Sequence, residues 1–549
     1  MVLLRQPLEA EAVREAAAAP SRIARQERQR RRRRAGVVLP LFSVRSKASW
    51  GVGDVSDIPR FAAWAGRAGF SLWQMLPVNE TTGADPSPYA SMSTFALDPV
   101  YLSLDDCEDF AAAGGRGALS AEIRERLEAA AAAPLVDWGA VRAVKRAAIE
   151  QAFARFLREE RDKRTARAHE LSLFQRDNRG WLEDYALFAV LHEKLGRSWL
   201  DWPQDLRDRQ PGALMAARAE HAEAILRAKW VQWQLDRQWR RARREASPAG
   251  VQLMGDLPFV TGMDAADVWA NRDLFRVDQH VGTPPDDVSP EGQDWGLPVY
   301  NWDAFEREDF AWMKARAMRA GDLFGSYRVD HALGFYRTFF RSIDGRTTGF
   351  TPADEPTQIA LGEEIMRVMN RWGEVIAEDL GTVPPFLRPS LEKVGVPGYR
   401  VLRWEKDGET YRDPAAWPPT SVATNATHDT DTTAAWYDAL PPEERERLRQ
   451  IPALKSIDPG KPFDDQVRDL LLRAIYEAPS TISLVTFQDA MGSRERVNVP
   501  GKVDPANWTY RTSATVEALL ADASTIERLA ALAADSGRQK AASPAAAGS

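Results

Sequence analysis

Short runs of apolar residues recur along the chain, and turn signals follow most of them. Several runs are almost continuously apolar, a pattern typical of strands buried on both faces of a parallel sheet. Helical patterns lie between many of the runs, so the alternation predicts an α/β protein whose strands close into a (β/α)8 TIM barrel. The eight runs are 36–42, 71–78, 251–260, 325–331, 374–380, 399–404, 421–428 and 481–488.

One long stretch, 105–247, interrupts this alternation. It is rich in Ala, Glu, Arg and Leu, has helical periodicity and contains no good strand. We therefore expect a large helical insertion subdomain between the start of the barrel at 36–104 and its remainder at 248–535, without a separate carboxyl-terminal β-domain. Ser120 is expected to cap the first helix of the insertion. Helices are predicted at 58–70, 120–133, 141–160, 184–195, 214–245, 443–448 and 465–477.

The two ends of the chain differ from the rest in composition. Residues 1–35 contain ten Arg and four Glu, a net charge of +6, and five of the Arg form the run 30–34. Because like charges repel and resist burial, 1–35 is predicted to be a disordered basic tail, with a polyanion-binding arm as the alternative. Residues 536–549 are rich in Ala, Ser and Gly and are predicted to be a second disordered tail.

The overall composition excludes several classes of protein. The chain has 549 residues, 44% hydrophobic and 28% charged, and its net charge of −7 argues against nucleic acid as the main partner. The sequence contains no run of about 18 apolar residues, so no membrane span is predicted. With one cysteine, Cys107, and six histidines, neither a disulfide nor a metal cluster is expected. We expect a cytoplasmic monomer or homodimer that needs no metal and no cofactor.

Polar residues cluster at the ends of the apolar runs, where barrel enzymes build their active sites. Carboxylates in such apolar surroundings are costly unless they are paired or functional. Structural alternatives exist for single residues, since Asp379 or Asp489 could cap a following helix and Arg328 could belong to a buried ion pair. The residues are Asp256 (MGDLPF), Arg328 and Asp330 (YRVDH), Glu378 and Asp379 (IAEDLG), His428 and Asp429 (NATHDT), and Gln488 and Asp489 (TFQDA).

The motifs of several other chemistries are missing from the sequence. There is no Walker A loop, no GxGxxG and no serine nucleophile elbow, and no histidine spacing suits zinc or iron. What remains is carboxylate chemistry supported by one arginine and one histidine. Glycoside cleavage uses such a set, with one carboxylate as nucleophile, a second of raised pKa as acid and base, and a third to stabilise the transition state.

Eight longer motifs, in order over roughly residues 36–512, resemble the 4-α-glucanotransferases of glycoside hydrolase family 77, also called amylomaltases or disproportionating enzymes. The stretch 281–302 is the longest and most specific of them. The motifs are LWQMLPV (72–78), SPYASMSTFALDPVYL (87–102), GDLPFV (255–260), VGTPPDDVSPEGQDWGLPVYNW (281–302), YRVDHALGF (327–335), IAEDLG (376–381), THDTDTTAAWY (427–437) and NVPGKVDPANWTYR (498–511).

The resemblance implies a role for each matching residue. Asp330 is implied as the nucleophile that forms a covalent glycosyl-enzyme intermediate, Glu378 as the general acid/base, and Asp429 as the transition-state stabiliser. It also implies malto-oligosaccharides and α-1,4-glucans as substrates. The implied substrate-binding residues are Arg328, which orients the nucleophile, His428, Asp256, Tyr89 and Trp295.

The sequence also departs from the family, with HALGFYRTFF (331–340) after the implied nucleophile and HDTDT (428–432) in place of HDNDT. These departures leave glucan-length preference and any secondary glucan site open. Three functions remain at this stage: an intracellular 4-α-glucanotransferase, a related glucan hydrolase, and a non-catalytic glucan-binding protein. Preference for transfer rests on the resemblance, since the same intermediate serves hydrolysis when water is the acceptor.

Overall fold

Fourteen strands lie within residues 32–82, 87–285, 290–502 and 504–538, which are the residues described by this computed structural model. They form three separate sheets. In chain order they are β1 Arg34–Val38, β2 Leu72–Gln74, β3 Gln252–Leu257, β4 Phe275–Thr283, β5 Gln293–Tyr300, β6 Ser326–Val329, β7 Thr338–Ser342, β8 Thr348–Thr351, β9 Glu374–Ala377, β10 Gly398–Val401, β11 Lys406–Asp407, β12 Thr410–Tyr411, β13 Ser421–Thr424 and β14 Ile482–Thr486.

Eight of these strands close into a parallel barrel in the order β1-β14-β13-β10-β9-β6-β3-β2. Each overlaps one of the eight predicted apolar runs, and the predicted (β/α)8 barrel is therefore confirmed. The interior is filled by large apolar side chains, as expected for a packed barrel core. These interior residues are Val38, Leu72, Met254, Ile376, Tyr399, Val401, Val422, Ile482 and Leu484.

The insertion is helical throughout, and no strand lies within 105–247, all of which the structure describes. Ser120 caps its helix as predicted, because its hydroxyl accepts the N–H of Ile123 at 3.3 Å. The predicted helix 214–245 is two helices that meet at His221. The helices of this region are Glu108–Ala112, Ala121–Ala132, Trp138–Phe156, Ala166–Asp177, Arg179–Leu195, Gln204–Arg207, Pro211–Glu220 and Ala222–Ala246.

The remaining helices surround the barrel, and amphipathic faces bury them against its strands. None of the described helices is long and apolar enough to cross a membrane. Their bounds are Asp57–Arg67, Ala266–Ala270, Trp302–Arg307, Ala311–Leu323, Glu355–Asn370, Leu387–Lys393, Thr433–Ala439, Pro442–Leu448, Asp465–Glu477, Phe487–Met491, Val516–Ala521 and Ala523–Asp535.

An antiparallel sheet in the order β5-β4-β7-β8 was not predicted. Its strands are half-buried and β5 contains Gly296 and Pro298, so neither an apolar run nor a clean alternation marks them. This sheet follows barrel strands β3 and β6 and therefore lies on the side of the barrel where their carboxyl ends open.

The predicted basic tail 1–35 is wrong at its carboxyl end. β1 begins at Arg34, whose side chain is 6% exposed and forms an ion pair with Glu374 at 2.5 Å. Arg33 donates to the carbonyls of Tyr476 and Ala478 at 2.7 and 2.8 Å. Charge repulsion was a poor guide here because a carboxylate and helix-terminal carbonyls satisfy the two guanidinium groups. Residues 1–31 lie outside the described residues.

The second predicted tail, 536–549, is wrong in its first residues for a similar reason. Arg538 is fully buried and donates to the carbonyls of Arg34, Tyr476 and Ala478 at 2.7–3.0 Å. This arginine therefore fastens the end of the last helix to the first barrel strand. Residues 539–549 lie outside the described residues.

Candidate active site

The carboxyl ends of four barrel strands bring most of the predicted site residues together. Asp256 lies near the end of β3, and its register partner on the neighbouring strand β6 is Arg328. Asp330 and Glu378 each follow directly after a strand, β6 and β9 respectively, and Asp429 lies in the loop after β13. Because parallel strands end at the same edge, residues far apart in sequence converge on one opening.

Arg328 connects two of the acids. One terminal nitrogen, Nη1, contacts both carboxylate oxygens of Asp256 at 2.8 and 2.9 Å, and the other, Nη2, lies 2.8 Å from Oδ1 of Asp330. Burial alone would lower the pKa of Arg328, but the charges of Asp256 and Asp330 raise it well above its usual value. The arginine is therefore a permanent cation that holds the Asp330 carboxylate in a fixed orientation.

Tyr89 extends this network towards the third acid. Its hydroxyl donates to Oδ2 of Asp256 at 2.9 Å and lies 2.9 Å from Nε2 of His428. The same Nε2 lies 3.1 Å from Oδ2 of Asp429. A continuous chain of polar contacts thus joins the carboxylate of Asp330 to that of Asp429.

The pKa values of His428 and Asp429 move in opposite directions because each stabilises the charged form of the other. Burial would raise the pKa of Asp429, but His428 and a hydrogen bond of 2.6 Å from Nδ2 of Asn498 lower it below its usual value. Burial would lower the pKa of His428, but Asp429 raises it. Near neutral pH, Asp429 is therefore an anion that can interact with sugar hydroxyls or with positive charge on a substrate.

Glu378 differs from Asp429 in that its pKa is raised. Its carboxylate oxygens accept the backbone N–H groups of His331 and Leu380, both at 2.8 Å, and Arg328 also favours the ionised form. Burial outweighs these effects and, with the negative charge of Asp330, raises the pKa of Glu378 to about 7. A carboxyl group with this pKa can both donate and accept a proton near neutral pH.

Exposure separates the residues that can touch a substrate from those that support them. The side chains of Asp330 and Asp429 are 27% and 39% exposed, whereas those of Asp256, Arg328 and His428 are 0–6% exposed. The two accessible carboxylates are therefore held by polar side chains that are themselves buried.

Aromatic rings border this opening. Tyr89 lies parallel to the ring of His428, with centroids 5.7 Å apart, and Trp508 packs against both. Trp295, from β5, packs edge-on against His331 with centroids 5.0 Å apart and thus lies beside the residue that follows Asp330. Sugar rings stack on such aromatic faces through their C–H surfaces.

Two strand-end acids lie outside this cluster and have structural partners. Asp379 is fully buried and pairs with Arg388 and Arg400 at 3.1 and 3.3 Å. Asp489 is also buried and accepts the first N–H of the helix Thr433–Ala439 at 2.6 Å. Neither caps the helix that follows it in sequence, which corrects that alternative.

Three neighbours of the site were not predicted. Asn498 binds Asp429 directly, Arg496 binds its backbone, and His331 presents its N–H to Glu378. Asn498 lies in the motif NVPGKVDPANWTYR, so this motif was the available signal. The bonds to backbone atoms have no sequence signal.

An eight-stranded parallel barrel with accessible carboxylates around its carboxyl-end opening places the chain in the class of barrel enzymes whose chemistry can rest on carboxyl groups, as glycoside cleavage does. Within that class, the profile of the glycoside hydrolase family 77 4-alpha-glucanotransferases matches residues 39–516. The chain belongs to this family and is a 4-alpha-glucanotransferase.

Individual relatives agree with this assignment. The chain is 31% identical to a 4-alpha-glucanotransferase of Chlamydia pneumoniae, over 88% of this chain and 92% of that protein. It is 32% identical to the enzyme of Thermus thermophilus, over 84% and 91% of the two chains. The fold matches the Streptococcus agalactiae amylomaltase solved in complex with acarbose, with a TM-score of 0.78, 24% identity and coverage of 92% and 100%.

Proposed function

We propose that the chain transfers segments of α-1,4-glucan between malto-oligosaccharides by a retaining double displacement. In this proposal Asp330 is the nucleophile, Glu378 the general acid/base and Asp429 the stabiliser of the transition state. The proposal rests mainly on one relationship: an accessible carboxylate held by Arg328 shares a cluster with a carboxyl group whose pKa is about 7.

In the first step, Asp330 attacks the anomeric carbon of the donor while Glu378 donates its proton to the glycosidic oxygen. The glycosidic bond breaks, the leaving glucan departs with the proton, and a covalent ester of Asp330 remains. Arg328 supports this step because it orients the attacking oxygen. Asp429 binds hydroxyls of the donor ring and stabilises positive charge at its anomeric centre.

In the second step, Glu378 acts as a base. Esterification removes the negative charge of Asp330, which is one of the causes of the raised pKa of Glu378. The pKa of Glu378 therefore falls, and the carboxylate accepts the proton of an incoming 4-hydroxyl as that oxygen attacks the anomeric carbon and the Asp330 carboxylate leaves. The ester bond breaks, the new α-1,4 linkage forms and the free enzyme is restored.

The other predicted residues would bind the substrate. Tyr89 and Trp295 would offer aromatic faces, whereas Asp256 and His428 would fix the polar groups that contact the donor ring. We also propose a cytoplasmic location and a monomeric or homodimeric state.

Incubation with maltotriose tests the reaction. Transfer yields longer maltodextrins and glucose with no net gain in reducing ends, whereas hydrolysis increases them. Asp330→Asn is expected to lower turnover by several orders of magnitude, because no nucleophile remains. A folded Asp330→Asn variant with near-wild-type activity would contradict the assignment, and a wild-type protein that binds glucans without converting them would be a binding protein.

A further inference from the structure

The carboxylate of Asp429 depends on a segment that lies beyond the last barrel strand. Asp429 belongs to the loop between β13 and the helix Thr433–Ala439, and its backbone is not part of any strand or helix. Asn498, which binds its Oδ1, belongs to a second loop, after β14 and the helix Phe487–Met491. The position of this carboxylate is therefore set by how these two loops are held together.

Arg496 joins the two loops through three separate contacts. Its Nη2 donates to the backbone carbonyl of Asp429 at 2.8 Å, its Nη1 contacts Oδ1 of Asp431 at 2.6 Å, and its Nε donates to the backbone carbonyl of Asn498 at 3.1 Å. All three guanidinium nitrogens are thus engaged, two of them with the backbone of residues that form the Asn498–Asp429 hydrogen bond. A planar fork is suited to such a fixed three-point contact.

The ion pair with Asp431 is not enough to explain this arrangement. Asp431 is 53% exposed and Arg496 25% exposed, and ion pairs of this kind add little stability. The two backbone contacts are different, because they fix the main chain of the two residues that form the Asn498–Asp429 hydrogen bond. Small displacements of a group that acts in the transition state lower the rate much more than they lower stability.

We propose that Arg496 is a positioning residue that holds the Asp429 carboxylate in place through the backbone of both loops. The proposal rests on the role proposed above for Asp429. Arg496 touches no reacting atom, so it acts only through Asp429 and Asn498. Its loss should therefore reduce the rate of the chemical step, with a smaller effect on ground-state binding.

The test measures kcat and KM for maltotriose, together with thermal melting, in four variants and in Asp429→Asn, which removes the positioned carboxylate itself. Arg496→Gln removes the fork, and we expect kcat to fall by about 10- to 100-fold with KM changed less than about threefold. Arg496→Lys keeps the charge but reaches fewer of the three partners, and should lose less. Asp431→Asn removes only the ion pair, and Arg494→Gln removes a surface arginine of the same segment that pairs with Asp438; both should retain wild-type kcat.

Three results would overturn the proposal. The first is wild-type kcat in a folded Arg496→Gln variant while Asp429→Asn is inactive, which refutes the positioning role alone. The second is an equal loss of kcat in Asp431→Asn, which would assign the effect to the ion pair. The third is full activity of Asp429→Asn, which would refute the proposed function of Asp429 as well.

Discussion

The backbone N–H of His331 donates to Oε2 of Glu378 at 2.8 Å, so the residue after Asp330 holds the second carboxyl group of the site. His331 adopts a left-handed conformation, with φ of 45°, that side-chain-bearing residues seldom occupy. The next residue, Ala332, donates to the backbone carbonyl of Glu378 at 3.0 Å. Main-chain hydrogen bonds therefore tie Glu378 to the segment that carries Asp330.

Arg328→Lys should be strongly damaging although it keeps the charge. One guanidinium binds Asp256 with Nη1 and Asp330 with Nη2, and a single ammonium group cannot reproduce that geometry. We expect kcat on maltotriose to fall more than ~10²-fold. Arg388→Lys is the matched control, because Arg388 pairs with the buried Asp379 and should tolerate the change far better.

The pH dependence of kcat/KM should follow the protonation of Glu378. With a pKa raised to about 7, Glu378 is protonated in the free enzyme below that pH, so kcat/KM should decline on the alkaline side near pH 7. Glu378→Gln should abolish turnover of maltotriose, because the amide has no acidic proton to donate to the leaving oxygen. With a maltosyl fluoride, whose leaving group needs no proton, the variant should still form the ester.

Mass spectrometry of the Glu378→Gln variant treated with that fluoride provides the measurement. A mass increase on the peptide that contains Asp330 is expected, because the ester forms without an acid and no base removes it. A mass increase on another peptide would instead identify a different nucleophile.

Glu378 should also affect stability in a pH-dependent way. Its pKa lies near 4.5 when unperturbed and about 7 in the folded protein. The stability that Glu378 contributes is thus fully present below pH ~4.5 and is lost as the pH rises through about 7, because burial opposes ionisation. Relative to Glu378→Gln, wild type should lose on the order of 1–3 kcal/mol between pH 4.5 and 8.

Chemical denaturation of both proteins across this pH range measures that difference. Gln places an amide group against one of the two backbone N–H groups, but this cost does not vary with pH. Parallel stability curves for the two proteins would contradict the raised pKa.

The barrel strands could be predicted from sequence because strands buried on both faces leave nearly continuous apolar runs, as in the run 251–260. The acids followed from the same pattern, since Asp256, Asp330 and Glu378 each interrupt or end such a run. The antiparallel sheet could not be predicted, because its half-buried strands are mixed in polarity and β5 carries Gly296 and Pro298.

The sequence could not predict which residues far apart in the chain contact one another. The run at Arg34 looked solvated because its partner, Glu374, lies 340 positions away. Likewise, no local pattern joins Asn498 to Asp429 or separates the accessible Asp330 from the buried Asp379. The resemblance to a family implied roles for single residues. The hydrogen-bond partners of those residues lie in other loops, and only the folded structure shows which loops are in contact.

Tyr89→Phe should separate the contribution of the hydroxyl group to activity from that of the aromatic ring. The variant keeps the ring parallel to His428 but loses the hydrogen bond to Asp256 and the contact with Nε2. Hydrogen bonds to charged groups contribute ~1.5–3 kcal/mol, so kcat/KM should fall about tenfold or more. Tyr411→Phe, which removes a hydroxyl bound to the distant Glu444, is the control and should leave kcat/KM unchanged.

Arg34 and Glu374 should contribute to folding and not to catalysis. They begin β1 and β9, which are opposite one another in the barrel order, so their buried ion pair spans the amino end, away from the site. Arg34→Met leaves Glu374 buried without its partner and should lower the unfolding free energy by about 3–5 kcal/mol. The double variant Arg34→Met/Glu374→Met also removes the unpaired charge of Glu374. It should recover most of the lost unfolding free energy, with kcat unchanged. Equal destabilisation of the single and double variants, measured by chemical denaturation, would show that packing of the arginine stem matters more than the ion pair.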